Sequence, residues 1–175
     1  MKIKPFTNTD KDLEAIVEIY CQSFKKENAE KVLQTIIKHS TYEGFSGIKY
    51  VRESGKVLGF AYGYSSLPGQ FYQGKLQLQL NAEERIQWLD NCFEFVELAV
   101  APESRKRGIG RVLLDELLKT TSHATSILTT STDNLPAIQF YKKNAWQVVK
   151  ARAAVIPNLP PLVIMGKELT KEEVK

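Results

Sequence analysis

The chain has 175 residues, the size of one ordinary domain and enough to bury a hydrophobic core. With 43% hydrophobic and 25% charged residues and no low-complexity tract, it falls outside the disordered and fibrous classes. The formal charge of +4 comes without any run of five like charges, which argues against a nucleic-acid binder and leaves a mild hint of an anionic ligand.

Cys21 and Cys92 are the only cysteines and stand in no metal or redox spacing. A reduced, cytoplasmic setting without a metal site is expected. The opening MKIKPFTNTDKDLEAI lacks the apolar core of a signal peptide, and no apolar run nears the ~18 to 20 residues that cross a bilayer. No membrane role is expected.

In chain order, residues 3–6 read as a first strand. Thr9 or Asp10 then offers a cap to a helix carrying Leu13, Ile16, Val17, Tyr20 and Phe24 at helical spacing. A second helix follows with Ala29, Val32, Leu33, Ile36 and Ile37. GIKYVRE alternates, Ser54 and Gly55 signal a turn, and VLGFAYGY is rich in aromatic and branched residues, so these stretches form a hairpin. Residues 66–90 read as an inserted loop punctuated by Pro68, Gly69 and Gly74, with one short helix that Asn81 caps and that turns Ile86 and Leu89 inward. Such a connection inside a compact domain is often a functional lid.

The second half alternates: strand 93–100, helix 108–121, strand 126–131, helix 134–143, then strands 146–155 and 161–169. This order predicts a single α/β (α+β) domain over residues 1–175, with a mixed sheet flanked by helices.

RKRGIG, from Arg105 to Gly110, poses the functional question. A helix starting near Gly108 presents unpartnered amides at its positive dipole end, where a phosphate can be held by backbone alone. Gly108 and Gly110 give bare backbone, while Arg105, Lys106, Arg107 and Arg111 supply countercharge that suits an anion better than a bare helix start. A solvated basic turn is the plain alternative. The phosphate-loop and dinucleotide signatures are both absent, since Leu113 stands where the latter needs its third glycine. Further on, Asn134 caps a helix with Pro136 in its first turn, and Asn134, Ile138 and Tyr141 share one face. Asn134 and Tyr141 lie ~10 Å apart along the axis, within reach of one elongated ligand. Taken singly, they would be a capping asparagine and a core tyrosine.

Together these segments resemble the GNAT superfamily of acyl-CoA-dependent acetyltransferases. The likeness runs from FEFVELAV through R-x-x-G-x-G (Arg105, Gly108, Gly110) to N-x-x-A-x-x-F-Y (Asn134, Ala137, Phe140, Tyr141), Trp146 and LVIMGKEL. It covers about half the chain. The resemblance implies a mostly antiparallel sheet with splayed central strands, and acetyl-CoA as cosubstrate. It implies that the amides of Arg105, Lys106, Arg107, Gly108, Ile109, Gly110 and Arg111 hold the pyrophosphate. Backbone at Leu98, Ala99 and Val100, with Asn134 and Ala137, would line the pantetheine arm, and Tyr141 would protonate the departing thiolate.

Glu94 and Glu97 are the candidate bases. Three residues apart, they point to opposite faces of an ideal strand. Glu94 aligns with the catalytic glutamate of the histone-acetylating branch and is slightly preferred, while Glu97 matches an acidic position of small-molecule branches. The expected activity is direct acetyl transfer to a primary amine, on a small molecule or a peptide. The rival is a non-catalytic acyl-CoA sensor or partner-binding domain. The acceptor and the oligomeric state are not legible; a homodimer is the option left open.

Lys106 replaces a glycine frequent in the family, and Asn144-Ala145 replaces an x-Gly pair, leaving Asn144 to take the left-handed helix end. Tyr62, Tyr64, Phe71 and Tyr72 would wall a pocket or, as is commoner for strand aromatics, pack. Trp88 is expected to pin the inserted helix, and His39 and His123 to be surface residues. Both cysteines are expected to be buried bystanders, which leaves no covalent nucleophile.

Overall fold

The computed structural model describes residues 2–169. In chain order they form β1 (Lys2–Pro5), α1 (Leu13–Phe24), α2 (Ala29–Ser40), β2 (Ser46–Val51), β3 (Val57–Ser65), α3 (Phe71–Gln79) and α4 (Ala82–Leu89). Then come β4 (Cys92–Val100), a 3₁₀ turn (Pro102–Ser104), α5 (Ile109–Lys119), β5 (Thr125–Ser131), α6 (Leu135–Lys143), β6 (Gln147–Ala153) and β7 (Leu162–Glu168). The strand order is β1-β2-β3-β4-β5-β7-β6, the mixed, mostly antiparallel sheet that the sequence led us to expect. Two compact units divide the chain, residues 2–64 with 96–121 and residues 65–95 with 122–169.

In the first unit β1, β2 and β3 pair antiparallel. Alternation in GIKYVRE builds β2, and β3 is buried along its whole length. The turn between them needs a left-handed residue and has Gly55 at φ 88°. Gly59 answers a packing demand instead, because a Cβ there would lie 2.8 Å from the carbonyl oxygen of Ala99. Helices α1 and α2 bury Ile16, Val17, Ile19, Val32 and Ile36 against Phe6, Phe60 and Tyr62.

The first helix starts later than expected. Its N-cap is Asp12, not Thr9 or Asp10; Asp10 lies two residues ahead, its Oδ1 accepting from the Asp12 amide at 2.8 Å, and both aspartates serve Lys49. That ammonium, on a residue only 4% exposed, donates to Asp10 at 2.6 Å and to Asp12 at 2.8 Å. Desolvation pushes the Asp10 carboxyl up, but the hydrogen bond and charge of Lys49 outweigh it and hold the group below its ordinary range.

His39 is not a surface residue. It is half-buried, with Nδ1 3.1 Å from the Tyr62 hydroxyl and its ring against Tyr42 and Tyr64. Burial pushes its pKa down to about 4, so it is neutral at pH 7. Tyr62 and Tyr64 are themselves buried, packing residues of this cluster.

In the second unit β5 pairs with β7 along its full length, and β6 pairs with β7 with two register shifts. The parallel ladder of β4 with β5 comprises three pairs, from Cys92–Thr125 to Glu94–Ile127, although both strands run on. This short ladder fits the expected splay. Leu76, Leu80, Trp88, Leu89, Cys92, Ile127 and Ile164 form the core. Trp88 does pin its helix, lying so close to Gly166 that a Cβ there would meet the indole at 2.5 Å.

Residues 66–90 hold two helices, not a loop with one. Helix α3 escaped the sequence reading because Gly74 sits inside it, Gln70 makes no side-chain cap, and glutamines blur its apolar period. Helix α4 is capped by Asn81, as its sequence suggested, and Glu84 completes a reciprocal box with it. Ile86, however, is 73% exposed, and Trp88 joins Leu89 inside instead. His123 is half-buried beside Phe93. Cys92 is buried, whereas Cys21 is partly exposed.

Candidate active site

The first unit carries the C-terminal part of β4 and the turn after it. Glu97 is partly buried, and the Tyr20 hydroxyl on α1 donates to its Oε1 at 3.1 Å. Burial raises the Glu97 pKa to about 7, against the lowering pull of the Tyr20 hydrogen bond and the charge of Lys26. A carboxyl with that affinity exchanges protons readily at neutral pH, as a general base must. The Tyr20 phenol is pushed up as well, since desolvation and the neighbouring carboxylate both oppose its ionisation.

Past Leu98, Ala99 and Val100 the chain turns through Pro102–Ser104 into α5. Lys106 has φ 60° and Gly108 φ 78°, so Lys106 does adopt the backbone state that a glycine would adopt without strain. Gly108 is the N-cap of α5 and makes no side-chain cap, which leaves the first-turn amides open to a ligand. A Cβ built on Gly108 would find nothing within 4 Å. Ile109 is buried and anchors the turn, while Lys106, Arg107 and Arg111 are exposed. The chemistry of a diphosphate suits this set of open amides, clear backbone and flanking cations.

Arg105 has a further task. Its guanidinium donates to the Val100 carbonyl at 3.0 Å and to Ser23 Oγ at 3.1 Å, tying the turn to β4 and α1. Arg111 pairs loosely with Asp115, 3.6 Å away.

The second unit carries Glu94 and the α6 residues. Glu94 is 4% exposed, and Ser66 Oγ donates to its Oε2 at 3.4 Å. Asn134 caps α6 as expected, its Oδ1 accepting from the Ala137 amide at 3.3 Å, with Pro136 in the first turn. Half-buried Tyr141 packs edge-on against Phe95 at 6.3 Å and Trp146 at 5.6 Å, which fixes the ring and hence the direction of its hydroxyl. At the end of α6 the left-handed residue is Ala145, φ 63°. Asn144 stays near φ −106°, held by its Nδ2 bond to the Phe140 carbonyl and by Lys167 on its own carbonyl.

Tyr20 and Ser66, the partners of the two glutamates, were not identified from sequence. Tyr20 and Glu97 stand 77 positions apart, which leaves no local signal, and helical spacing read Tyr20 simply as a core-facing residue.

A profile of the acetyltransferase (GNAT) family matches residues 13–146, and the chain belongs to that family. A GCN5-like protein acetyltransferase of Mycobacterium tuberculosis is 34% identical over 83 residues, 45% of this chain and 40% of that protein. The match thus spans less than half of that relative's length. Two solved structures share the fold over nearly the whole chain. A ribosomal-protein-alanine N-acetyltransferase from Brucella melitensis superposes with TM-score 0.68 at 21% identity, covering 97% of this chain and 100% of that one. A phosphinothricin acetyltransferase from Sinorhizobium meliloti, in complex with AcCoA, superposes with TM-score 0.68 at 16% identity, covering 99% and 91%. No helix among the described residues is long and apolar enough to cross a membrane.

Proposed function

We propose that this protein transfers the acetyl group of acetyl-CoA directly to a primary amine, with Glu97 as general base and Tyr141 as general acid. The observation that carries the reading is the Glu97 carboxyl, raised to about 7 and held by Tyr20, on the strand that leads into the amide cradle. Bound acetyl-CoA supplies an activated acyl carbon and a thiolate leaving group. The amides of residues 105–111 grip its pyrophosphate, and Lys106 and Arg107 balance the charge. Backbone at Leu98, Ala99 and Val100, together with Asn134 and Ala137, orients the pantetheine arm.

Glu97 takes one proton from the acceptor ammonium, which frees the nitrogen lone pair. As the nitrogen bonds to the acetyl carbon and the carbon–sulfur bond breaks, Tyr141 gives its proton to the sulfur, and the second proton of the nitrogen passes back to the Tyr141 phenolate, which leaves a neutral amide, the CoA thiol and a restored phenol. Glu94, buried and bonded to Ser66, is on this reading a positioning group of β4. The near-neutral carboxyl is what moves the preference from Glu94 to Glu97.

The test is a thiol-release assay with acetyl-CoA and a panel of amines, run beside calorimetry of acetyl-CoA binding. Binding with amine-dependent thiol release is expected. No binding at millimolar acetyl-CoA would refute the cradle, and binding without thiol release for any amine would favour a sensor.

A further inference from the structure

A cavity of about 510 Å³ opens where α1 hands over to α2. Its walls include Tyr20, Lys25, Lys26, Lys31 and Glu27. Three cations face one carboxylate in this lining. None of the three ammonium groups has an ion-pair partner among the described residues. Tyr20 belongs both to the wall and to the Glu97 hydrogen bond, so the cavity is one side chain removed from the proposed base. The backbone points the same way. Lys25 ends α1 at φ 51°, a left-handed state that disfavours a lysine, and a lysine nevertheless stands there. Asn28 then accepts from the Lys31 amide and starts α2 at the cavity wall.

An acceptor amine arrives as a cation. A lining with two net positive charges repels polyamines and other polycations, and it attracts an amine whose own charge is balanced by an acid. We infer that this cavity receives the acceptor, and that the acceptor is a primary amine bearing an anionic group, a carboxylate or a phosphate, which Lys25, Lys26 and Lys31 bind. The inference rests on acetyl transfer with Glu97 as base. The lysines select the acceptor; the proton is moved by Glu97.

Matched pairs of amines that differ only in the anion provide the test: lysine against cadaverine, tyrosine against tyramine, and phosphoethanolamine against ethanolamine. The first two pairs probe a carboxylate and the third a phosphate. The acid-bearing member of at least one pair is expected to show kcat/KM higher by about tenfold or more. In the Lys25→Gln, Lys31→Gln double variant that preference should fall by about tenfold through KM for the amine, with kcat and the KM for acetyl-CoA unchanged.

Equal use of both members of every pair by an active enzyme, or preference for the neutral or cationic member, overturns the inference and leaves acetyl transfer standing. A rise in the KM for acetyl-CoA in the double variant overturns it too, by assigning the lysines to the phosphates of CoA. Acetyl-CoA binding with no pair turned over would count against both this inference and the proposed activity.

Discussion

The phenol of Tyr20 donates to Oε1 of Glu97 at 3.1 Å and joins α1 to the strand that ends in the amide cradle. The bond stabilises the charged carboxylate and so opposes the rise that burial imposes, and the pKa settles at about 7. In wild type, kcat/KM should therefore climb with pH through about 7 as Glu97 loses its proton. Tyr20→Phe removes the lowering contribution and should shift this acid limb to higher pH. A limb that stays in place or moves down would detach Tyr20 from the base.

Glu97→Gln separates catalysis from stability. The folded-state pKa lies above the ordinary value of 4.5, so between those two pH values the native protein keeps a proton that the unfolded chain has lost. Stability falls as pH rises through that window, and above it the full cost of burying the charge remains. The amide carries no charge, so the variant should melt higher than wild type at pH 8 and lose that advantage as pH approaches 4.5. Its turnover should drop by about 10²–10⁴. Thermal melts at both pH values, paired with thiol-release rates, check both halves. Unchanged turnover would return the base role to Glu94.

What the sequence made legible was whatever chemistry is local. Asn134 and Pro136 announced the start of α6, Asn81 announced α4, and the glycine at 108 marked the start of α5. What stayed hidden depended on distant partners or on mixed signals. Asp10 reads as a cap until Lys49 claims it, and His39 reads as exposed until Tyr62 and Tyr64 close around it. Gly74 reads as punctuation, yet it lies inside α3. The two glutamates could be named from the strand, but their partners Tyr20 and Ser66 lie far off in sequence.

The left-handed position at the end of α6, expected at Asn144 and found at Ala145, and the helical glycine at 74 give stability predictions. Ala145 holds φ 63° on an exposed site, so Ala145→Gly should relieve about 1–2 kcal/mol of strain. Against this stands about 0.4–1 kcal/mol of added unfolded-state entropy. A net gain near 0.5–1 kcal/mol should appear as a higher urea midpoint with an unchanged slope. Gly74→Ala adds a methyl where nothing lies within 4 Å, and it should gain about 0.5–1 kcal/mol from helix propensity. Loss of stability in either variant would contradict the backbone described for that residue.

Gly108 differs from both. A methyl there meets no atom within 4 Å, so Gly108→Ala suffers only the strain of φ 78°, about 1–2 kcal/mol. The variant should fold, and its loop should relax away from the left-handed state. The first-turn amides would then lose their aim, raising the KM for acetyl-CoA by about tenfold while kcat stays within a few-fold. Calorimetric titration with CoA separates this from a folding defect. An unaltered affinity would mean that the anion is held elsewhere.

Tyr141→Phe keeps the ring packed against Phe95 and Trp146 and removes only the hydroxyl. If the hydroxyl protonates the departing sulfur, kcat should fall by about 10²–10⁴, with little change in the KM for acetyl-CoA. A leaving group of lower thiol pKa needs less help from an acid. Acyl donors built on such a thiol should therefore lose less activity in the variant than acetyl-CoA does. Equal losses for all donors would show that the hydroxyl orients the cofactor and gives no proton, and an undiminished kcat would remove Tyr141 from the chemistry altogether.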